Sequence, residues 1–405
     1  MRKPAVLTVY NAYLNRGGED EVFEAESDLL ERNGHEVQRF RVEADELRSP
    51  GVLDQAQLVM DTVWSQRYYQ RFRGMVRELR PDVVHFHNTF PLLSPSVYVA
   101  CQREGARVVQ TLHNYRLLCP KATLYRDARP CEDCLGRALP WPAVLHACYH
   151  ESVPQTALIA GMLGLHRLRG TWTNEVDLYI TPTAFARRKF IQGGLPAGKV
   201  TVKPNFVEHD EFHRAAAGDY VLLVGRLVEH KGITTVIDAW RQLRTNVPLR
   251  VIGDGPMAPE VEQFATQNPE VSFLGRQSHD AVLEQMRGAR ALLFPSTWYE
   301  TFGITIVEAF ASGLPVIASD IGPVGSELVA DGKTGLLFPA GDSASLASRV
   351  DSAWSHPQDM RLMGEAALAE YRAKYTPDRN YHLLAAIYDR VLGGQLQAGV
   401  SASAS

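Results

Sequence analysis

Short apolar runs alternate with helix-patterned segments along this chain, and near its middle the alternation starts again. Val6–Tyr10, Glu36–Phe40, Asp82–Phe86, Arg107–Leu112, Asp177–Pro182 and Val200–Lys203 read as strands. Helical pattern fills most of the gaps, as at Asp20–Arg32 and Ala184–Gln192. Tyr220–Gly225, Leu249–Gly253, Val271–Gly275, Ala291–Pro295 and Pro315–Ser319 form a second series, with helices such as Ile233–Leu243 and His279–Gly288 between them. A strand–helix alternation of this kind covers both faces of a parallel sheet. The expected fold is α/β, with two Rossmann-like doubly wound parallel-sheet domains and C-terminal helices. The expected domains are residues 1–203 and 204–375, joined through the polar, alanine-rich His209–Asp219. Helical pattern runs over Ser343–Leu392, so 376–395 is a C-terminal helix, and the small, polar 396–405 is expected to be a disordered tail.

With 405 residues the chain can bury two such cores unaided. Hydrophobic residues make up 45% and charged residues 22%, ordinary usage for a soluble globular protein. No apolar run nears the ~20 residues of a membrane span. Met1–Pro4 leads straight into strand pattern without a secretory signature, which gives a cytoplasmic expectation. Residues 1–203 carry 26 basic and 22 acidic side chains and residues 204–405 carry 16 and 24, so the halves stand at +4 and −8. That difference suits an anionic partner on the first half but is too diffuse for nucleic acid. The most basic stretch holds Arg67, Arg71, Arg73, Arg77 and Arg80 beside Trp64, Tyr68, Phe72, Met75 and Val76 at helical spacing. It reads first as a helix packed on a sheet with solvated arginines. The same pattern suits a peripheral contact with the inner face of a membrane.

Chemistry concentrates where strands end, because ligands of open α/β sheets bind outside their carboxyl edge. Gly225-Arg226-Leu227 closes one strand and Lys231-Gly232 opens the next helix, so Arg226 and Lys231 are placed to meet a phosphate. Taken alone, the pair reads first as two surface cations near a turn. Gly253-Asp254-Gly255-Pro256 is a weak signal, and neither a G-x-G-x-x-G nor a Walker loop follows any strand. The strongest signal runs from Pro295 through Glu300-Thr301-Phe302-Gly303-Ile304 to Val307-Glu308-Ala309. A helix starting near Gly303 offers free backbone N–H groups to an anion. Glu308 sits among apolar neighbours on that helix, and a buried carboxylate without a partner is costly. Two carboxylates so spaced can hold different hydroxyls of one ligand.

With these motifs the sequence resembles the retaining glycosyltransferases of family four, whose GT-B architecture sets two Rossmann-like domains across a cleft. The likeness covers nearly the whole chain. It includes Pro204-Asn205, Ala311-Ser312-Gly313-Leu314-Pro315-Val316-Ile317-Ala318 and Asp331-Gly332-Lys333-Thr334-Gly335-Leu336-Leu337. The resemblance implies a nucleotide diphosphate sugar as donor substrate. Arg226 and Lys231 would hold its diphosphate, Glu308 the ribose and Glu300 the transferred sugar, with backbone groups at Phe302, Gly303 and Ile304 adding donors. Asn205 and Gly253 would border the donor, and Leu274 and Gly275, within Phe273–Arg276, would lie beside the base. Gly17 and Gly18, in Arg16-Gly17-Gly18-Glu19, match a glycine-rich loop facing donor and acceptor. His113, in Thr111-Leu112-His113-Asn114, matches the active-site histidine. The weaker His87, in His85-Phe86-His87-Asn88, reads as acceptor-side or structural. Catalysis is thus expected of His113, Glu300, Arg226 and Lys231, without a catalytic metal, and the C-terminal helix is expected to return to the first domain. The partner is expected to be a glycan or lipid-linked acceptor. A sugar-nucleotide epimerase and a non-catalytic sugar-nucleotide or glycan-binding protein are the alternatives.

The stretch 114–155 breaks the alternation and holds four of the five cysteines. Cys119, Cys131, Cys134 and Cys148 form C-x11-C-x2-C-x13-C, which suits a structural zinc; buried free thiols and disulfides stay open. His146 or His150 could replace a cysteine ligand, and Cys101 reads as packing. The insert is expected to face the cleft and shape the acceptor pocket.

Overall fold

The computed structural model describes residues 2–12, 17–43, 60–208 and 218–393. Arg16, the linker residues 209–217 and the tail 396–405 lie outside the described residues. In chain order the strands are β1 (Val6–Asn11), β2 (Val37–Val42), β3 (Val83–Asn88) and β4 (Arg107–Thr111). A small hairpin follows, β5 (Tyr125–Arg126) and β6 (Arg129–Pro130), then β7 (Leu178–Thr181) and β8 (Val200–Val202). The second series is β9 (Tyr220–Val224), β10 (Leu249–Ile252), β11 (Val271–Phe273), β12 (Ala289–Phe294), β13 (Val316–Asp320) and β14 (Gly335–Pro339).

Two six-stranded sheets result, in the orders β2-β1-β3-β4-β7-β8 and β11-β10-β9-β12-β13-β14. Their pairings are parallel, for example Val6 with Val37 and Val83, and Leu222 with Arg250 and Leu292. Every residue of β1 and β3 is buried, as expected of strands covered on both faces. The second sheet gains β14, which the sequence offers only as part of a family motif. It is short, and a Cβ on Gly335 would lie 2.0 Å from the carbonyl oxygen of Val316, so its glycine lets the two backbones approach.

The helix Pro377–Leu392 packs on the first sheet: Leu384, Ile387 and Tyr388 share a core with Val6, Val83, Val109 and Ile180. The helix Gln66–Leu79 buries Tyr68, Tyr69, Phe72 and Val76. Its arginines are engaged locally: Arg73 and Arg77 bind Glu104, and Arg71 lies over the Phe40 ring at 4.7 Å. No helix among the described residues is long and apolar enough to cross a membrane.

The insert is tied down by cations on carbonyls and rings. Arg167 donates to the carbonyls of Leu117 and Arg137, and Arg116 lies over Phe90 at 4.2 Å and Tyr149 at 5.2 Å. Cys119, Cys131, Cys134 and Cys148 gather in the insert within electrostatic reach of one another, although no three of their sulfurs lie within 4.8 Å of one another. All five cysteines are free, and the one group of three metal-ligating side chains within 4.8 Å of one another among the described residues is Glu26, His85 and His87. Burial raises the Cys131 and Cys148 thiols and pushes Cys134 up to about 12, and the neighbouring thiols act in the same direction.

Candidate active site

The order of the second sheet reverses between β9 and β12, and the loops leaving those two strands carry the charged groups. Beyond β9, Arg226 is exposed and its guanidinium makes no hydrogen bond or ion pair among the described residues. Lys231 ends a short 3-10 turn, Glu229–Lys231. Gly232 then takes φ +76°, and a Cβ there would stand 1.9 Å from the Pro295 carbonyl oxygen. Only glycine lets the Lys231 turn press against the end of β12.

Beyond β12 the chain folds Glu300 inward, leaving it 7% exposed. Three donors converge on its Oε1: Lys231 Nζ at 2.6 Å, Ser296 Oγ at 2.7 Å and Trp298 Nε1 at 2.8 Å. Glu300 Oε2 accepts no hydrogen bond among the described residues, so one oxygen is anchored and the other can meet a ligand. The helix Ile304–Ala311 begins immediately afterwards, with Gly303 as its N-cap and no side-chain cap, leaving its first N–H groups for an anion.

The first domain closes on this loop. Thr301 Oγ1 donates to the His113 carbonyl at 2.7 Å, and the Tyr115 hydroxyl donates to the Glu300 carbonyl at 3.2 Å. Tyr125, in the insert, places its hydroxyl 3.1 Å from Thr297 Oγ1. Further along, the Glu327 carboxylate accepts the backbone N–H groups of Ala184 and Phe185, capping the first-domain helix Ala184–Gln192 from the second domain.

A cavity of about 390 Å³ lies between the domains. It brings together Gly17, Gly18, His113, Asn205, Arg226, Lys231, Glu300, Phe302, Gly303 and Ile304 from the sequence-predicted set. Four predicted positions do not line it. Gly253, Leu274 and Gly275 lie at the ends of β10 and β11, where Gly253 N donates to the Gly275 carbonyl at 2.9 Å. Glu308 is buried on its helix with Oε1 3.6 Å from His279 Nδ1. Burial, then the Glu21 charge of the first domain, pushes Glu308 up to about 7.

Sequence reasoning gave no role to three groups that matter here. Ser296 and Trp298 fix Glu300, and an indole N–H in a loop beside a buried acid is a readable signal, since a buried Trp seeks an acceptor. Glu19 lines the cavity, takes a 3.0 Å hydrogen bond from Asn114 Nδ2 on Oε1 and leaves Oε2 buried without a partner. Desolvation raises it to about 7. Asn205 Oδ1 is likewise buried and unpartnered at the cavity wall. Buried polar atoms left open like this fit a site shaped to receive a polar ligand.

Comparison with known proteins gives the family and the fold. The family described as glycosyl transferases group 1 matches residues 207–369, and Glycosyltransferase Family 4 matches residues 17–211. Between them they take in both domains, and the chain belongs to this glycosyltransferase family. Sucrose-phosphate synthase of Thermosynechococcus elongatus superimposes with a TM-score of 0.72 at 18% identity, covering 96% of this chain and 100% of that one. The Anabaena protein HepE, solved in complex with UDP, gives 0.67 at 19%, covering 95% and 100%. At that identity the likeness speaks for the GT-B fold. D-rhamnosyltransferase WbpZ of Pseudomonas aeruginosa is 32% identical over 160 residues, 39% of this chain and 42% of that protein. Phosphatidyl-myo-inositol mannosyltransferase of Mycobacterium leprae is 31% identical over 215 residues, 50% and 56%. The chain thus spans about half the length of these relatives.

Proposed function

We propose that this protein is a retaining glycosyltransferase that moves a hexosyl group from a nucleotide diphosphate sugar to an acceptor hydroxyl. The observation that carries the reading is the interdomain cavity, where an unpaired Arg226, Lys231 and the open start of the helix Ile304–Ala311 stand beside a carboxylate with one free oxygen. The cations and N–H groups suit a diphosphate, and Glu300 Oε2 suits a sugar hydroxyl. Related proteins named as rhamnosyl- and mannosyltransferases, and a neighbour solved with UDP-glucose, support a hexose donor linked to UDP or GDP.

In the reaction the bond from the anomeric carbon to the diphosphate breaks and a bond to the acceptor oxygen forms on the same face. The acceptor proton passes to the departing phosphate oxygen. Arg226, Lys231 and the helix N–H groups stabilise the charge developing on the diphosphate, the electrostatic role a divalent cation fills elsewhere, so the reading is metal-independent. Glu308 accepts from the ribose. Gly253, Leu274 and Gly275 border the nucleoside end. Gly17 and Gly18 form the opposite wall, where Gly18 can offer its backbone N–H while that of Gly17 is held by Asp20 Oδ2 at 2.9 Å. The acceptor is a glycan or a lipid-linked glycan approaching from the first domain, in synthesis of a polysaccharide or other glycoconjugate at the cytoplasmic side of the membrane.

The test is a thermal-shift screen of UDP- and GDP-sugars, each beside its free nucleotide, with EDTA present. A donor at ~100 times its dissociation constant stabilises a protein by about 2.7 kcal/mol. A selective shift followed by sugar transfer to an acceptor supports the reading. Conversion of the donor with no acceptor present would favour an epimerase, and binding without turnover a non-catalytic protein.

A further inference from the structure

Behind the cavity the first domain buries a chain of polar groups that the proposed transfer leaves unused. His113 turns Nε2 inward to 3.0 Å from His87 Nδ1, and the two rings stack with centroids 5.2 Å apart. His87 Nε2 in turn faces Glu26 Oε2 at 3.8 Å. The other oxygen of Glu26 takes the Lys203 ammonium, which also donates to Asn380 Oδ1 at 3.2 Å. Glu26, His87 and Lys203 are at most 2% exposed. They come from the helix Gly18–Arg32, from β3 and from the segment after β8, so three elements place them in one line.

Neither His87 Nε2 nor Glu26 Oε2 has a hydrogen-bond partner, although each is fully buried and they face each other. A metal does not suit this group: Lys203 occupies the carboxylate, and both ring nitrogens of the neighbouring His85 are taken at 2.8 Å, by the Tyr388 and Thr111 hydroxyls. A proton arrangement does suit it. A neutral imidazole carries one N–H. Burial holds both rings neutral, pushing His87 and His113 down to about 3. With its proton on Nδ1, His87 would aim a lone pair at the Glu26 carboxylate in a low-dielectric interior. With the proton on Nε2 it aims a donor. The carboxylate therefore selects the Nε2–H form of His87, whose Nδ1 must then accept. The proton between the rings belongs to His113 Nε2, and His113 Nδ1 keeps its lone pair. That nitrogen has no partner among the described residues and is not one of the buried orphans, while His113 lines the cavity.

We propose that Glu26, acting through His87, fixes the tautomer of His113 so that its Nδ1 faces the cleft as a hydrogen-bond acceptor for a sugar hydroxyl. Glu26 and His87 are positioning residues, and Lys203 pairs with the other oxygen of Glu26. The hydroxyl rests on the transferase reading above; the tautomer does not. The test is a long-range ¹H–¹⁵N spectrum of the full chain with ¹⁵N-labelled histidine, His113 being assigned by its loss in His113→Gln. The expected result at pH 7 is a neutral His113 protonated on Nε2, moving toward the Nδ1–H form in Glu26→Leu/Lys203→Met, where the charge leaves together with its partner. In that variant, affinity for the nucleotide sugar should fall by roughly 2–10-fold, one neutral hydrogen bond, with affinity for the nucleoside diphosphate unchanged. An Nδ1–H or doubly protonated His113 in the wild type, or an unchanged tautomer in the double variant, overturns the proposal. If the double variant does not fold, the wild-type spectrum decides. A correct tautomer in a protein that binds no nucleotide sugar would sink the transferase reading and leave the relay standing.

Discussion

Lys231 and Glu300 make the sharpest test of the site, because the same ammonium both neutralises the acid and is proposed to hold the diphosphate. Lys231→Ala removes the only charged donor of the three on Glu300 Oε1 and leaves Ser296 and Trp298 in place. A hydrogen bond to a charged group is worth about 1.5–3 kcal/mol. Lys231 is 28% exposed, so screening trims the folding contribution to about 1–2 kcal/mol. For a domain of this size that lowers Tm by about 2–8 °C. Loss of the same charge against a diphosphate weakens its binding by about 10–150-fold. Glu300→Gln does the opposite at the phosphate end. Its amide oxygen can still accept from Ser296 and Trp298, while Lys231 loses its competing carboxylate and is released toward the ligand. Diphosphate affinity should therefore hold or tighten in Glu300→Gln, with sugar transfer falling by about 10²–10³, the loss seen when one preorganised group at the reacting centre is removed. Isothermal titration of UDP and GDP in EDTA-containing buffer, beside transfer rates, reads both effects. If the two variants moved diphosphate affinity in the same direction, or Lys231→Ala bound it within twofold of wild type, the shared role of Lys231 would be refuted.

Other outcomes follow from the buried charges. Glu308 sits near a pKa of about 7, so a ribose hydroxyl finds a carboxylate above that pH and a protonated acid below it. Donor affinity should drop by up to tenfold per pH unit below about 7, and Glu308→Gln should flatten the slope; a wild-type affinity constant from pH 5.5 to 8.5 would argue against the ribose contact. For stability the sign is reversed from the usual carboxylate. The folded pKa lies above the unfolded 4.5, so the folded state binds the proton more tightly and Glu308 lowers stability by about 3 kcal/mol as pH rises from 4.5 to 7. Chemical denaturation of wild type and Glu308→Gln across that window measures the difference. Lys203→Met breaks the buried pair with Glu26 and should destabilise by about 3–5 kcal/mol, most of it recovered in Glu26→Leu/Lys203→Met; a single variant losing under about 1 kcal/mol would refute a structural role for the pair. Glu327→Ala removes a cap that crosses between domains and should loosen them at about 0.5–2 kcal/mol, visible as a larger radius of gyration in solution scattering; an unchanged radius would make the contact dispensable.

What the sequence made legible was what periodicity and strand ends encode. The two alternating series yielded the parallel sheets, since a strand buried on both faces has to be a continuous apolar run such as Val6–Asn11. Arg226, Lys231 and Glu300 were legible because residues just past strand ends converge wherever a sheet order reverses, and β9 and β12 are the strands at that reversal. The remainder depends on contacts that sequence distance hides. Nothing in His85-Phe86-His87-Asn88 reveals that His87 reaches Glu26, 61 positions earlier, or that Lys203 closes the far side 177 positions from Glu26. The cysteines mark the converse limit. Their spacing suits a zinc site and the fold brings the four thiols within electrostatic reach of one another, but what else holds this insert, Arg116 and Arg167 on rings and carbonyls, is chemically generic and leaves no pattern in the chain. Buried charge follows the same logic. A lone Glu or Lys inside an apolar stretch signals only that some partner exists, because an unpaired ion there would be too costly to keep. Which partner it is, and whether the pair merely holds the fold or also reaches a ring at the cavity wall, becomes readable only when the folded chain brings His113, His87, Glu26 and Lys203 into one line.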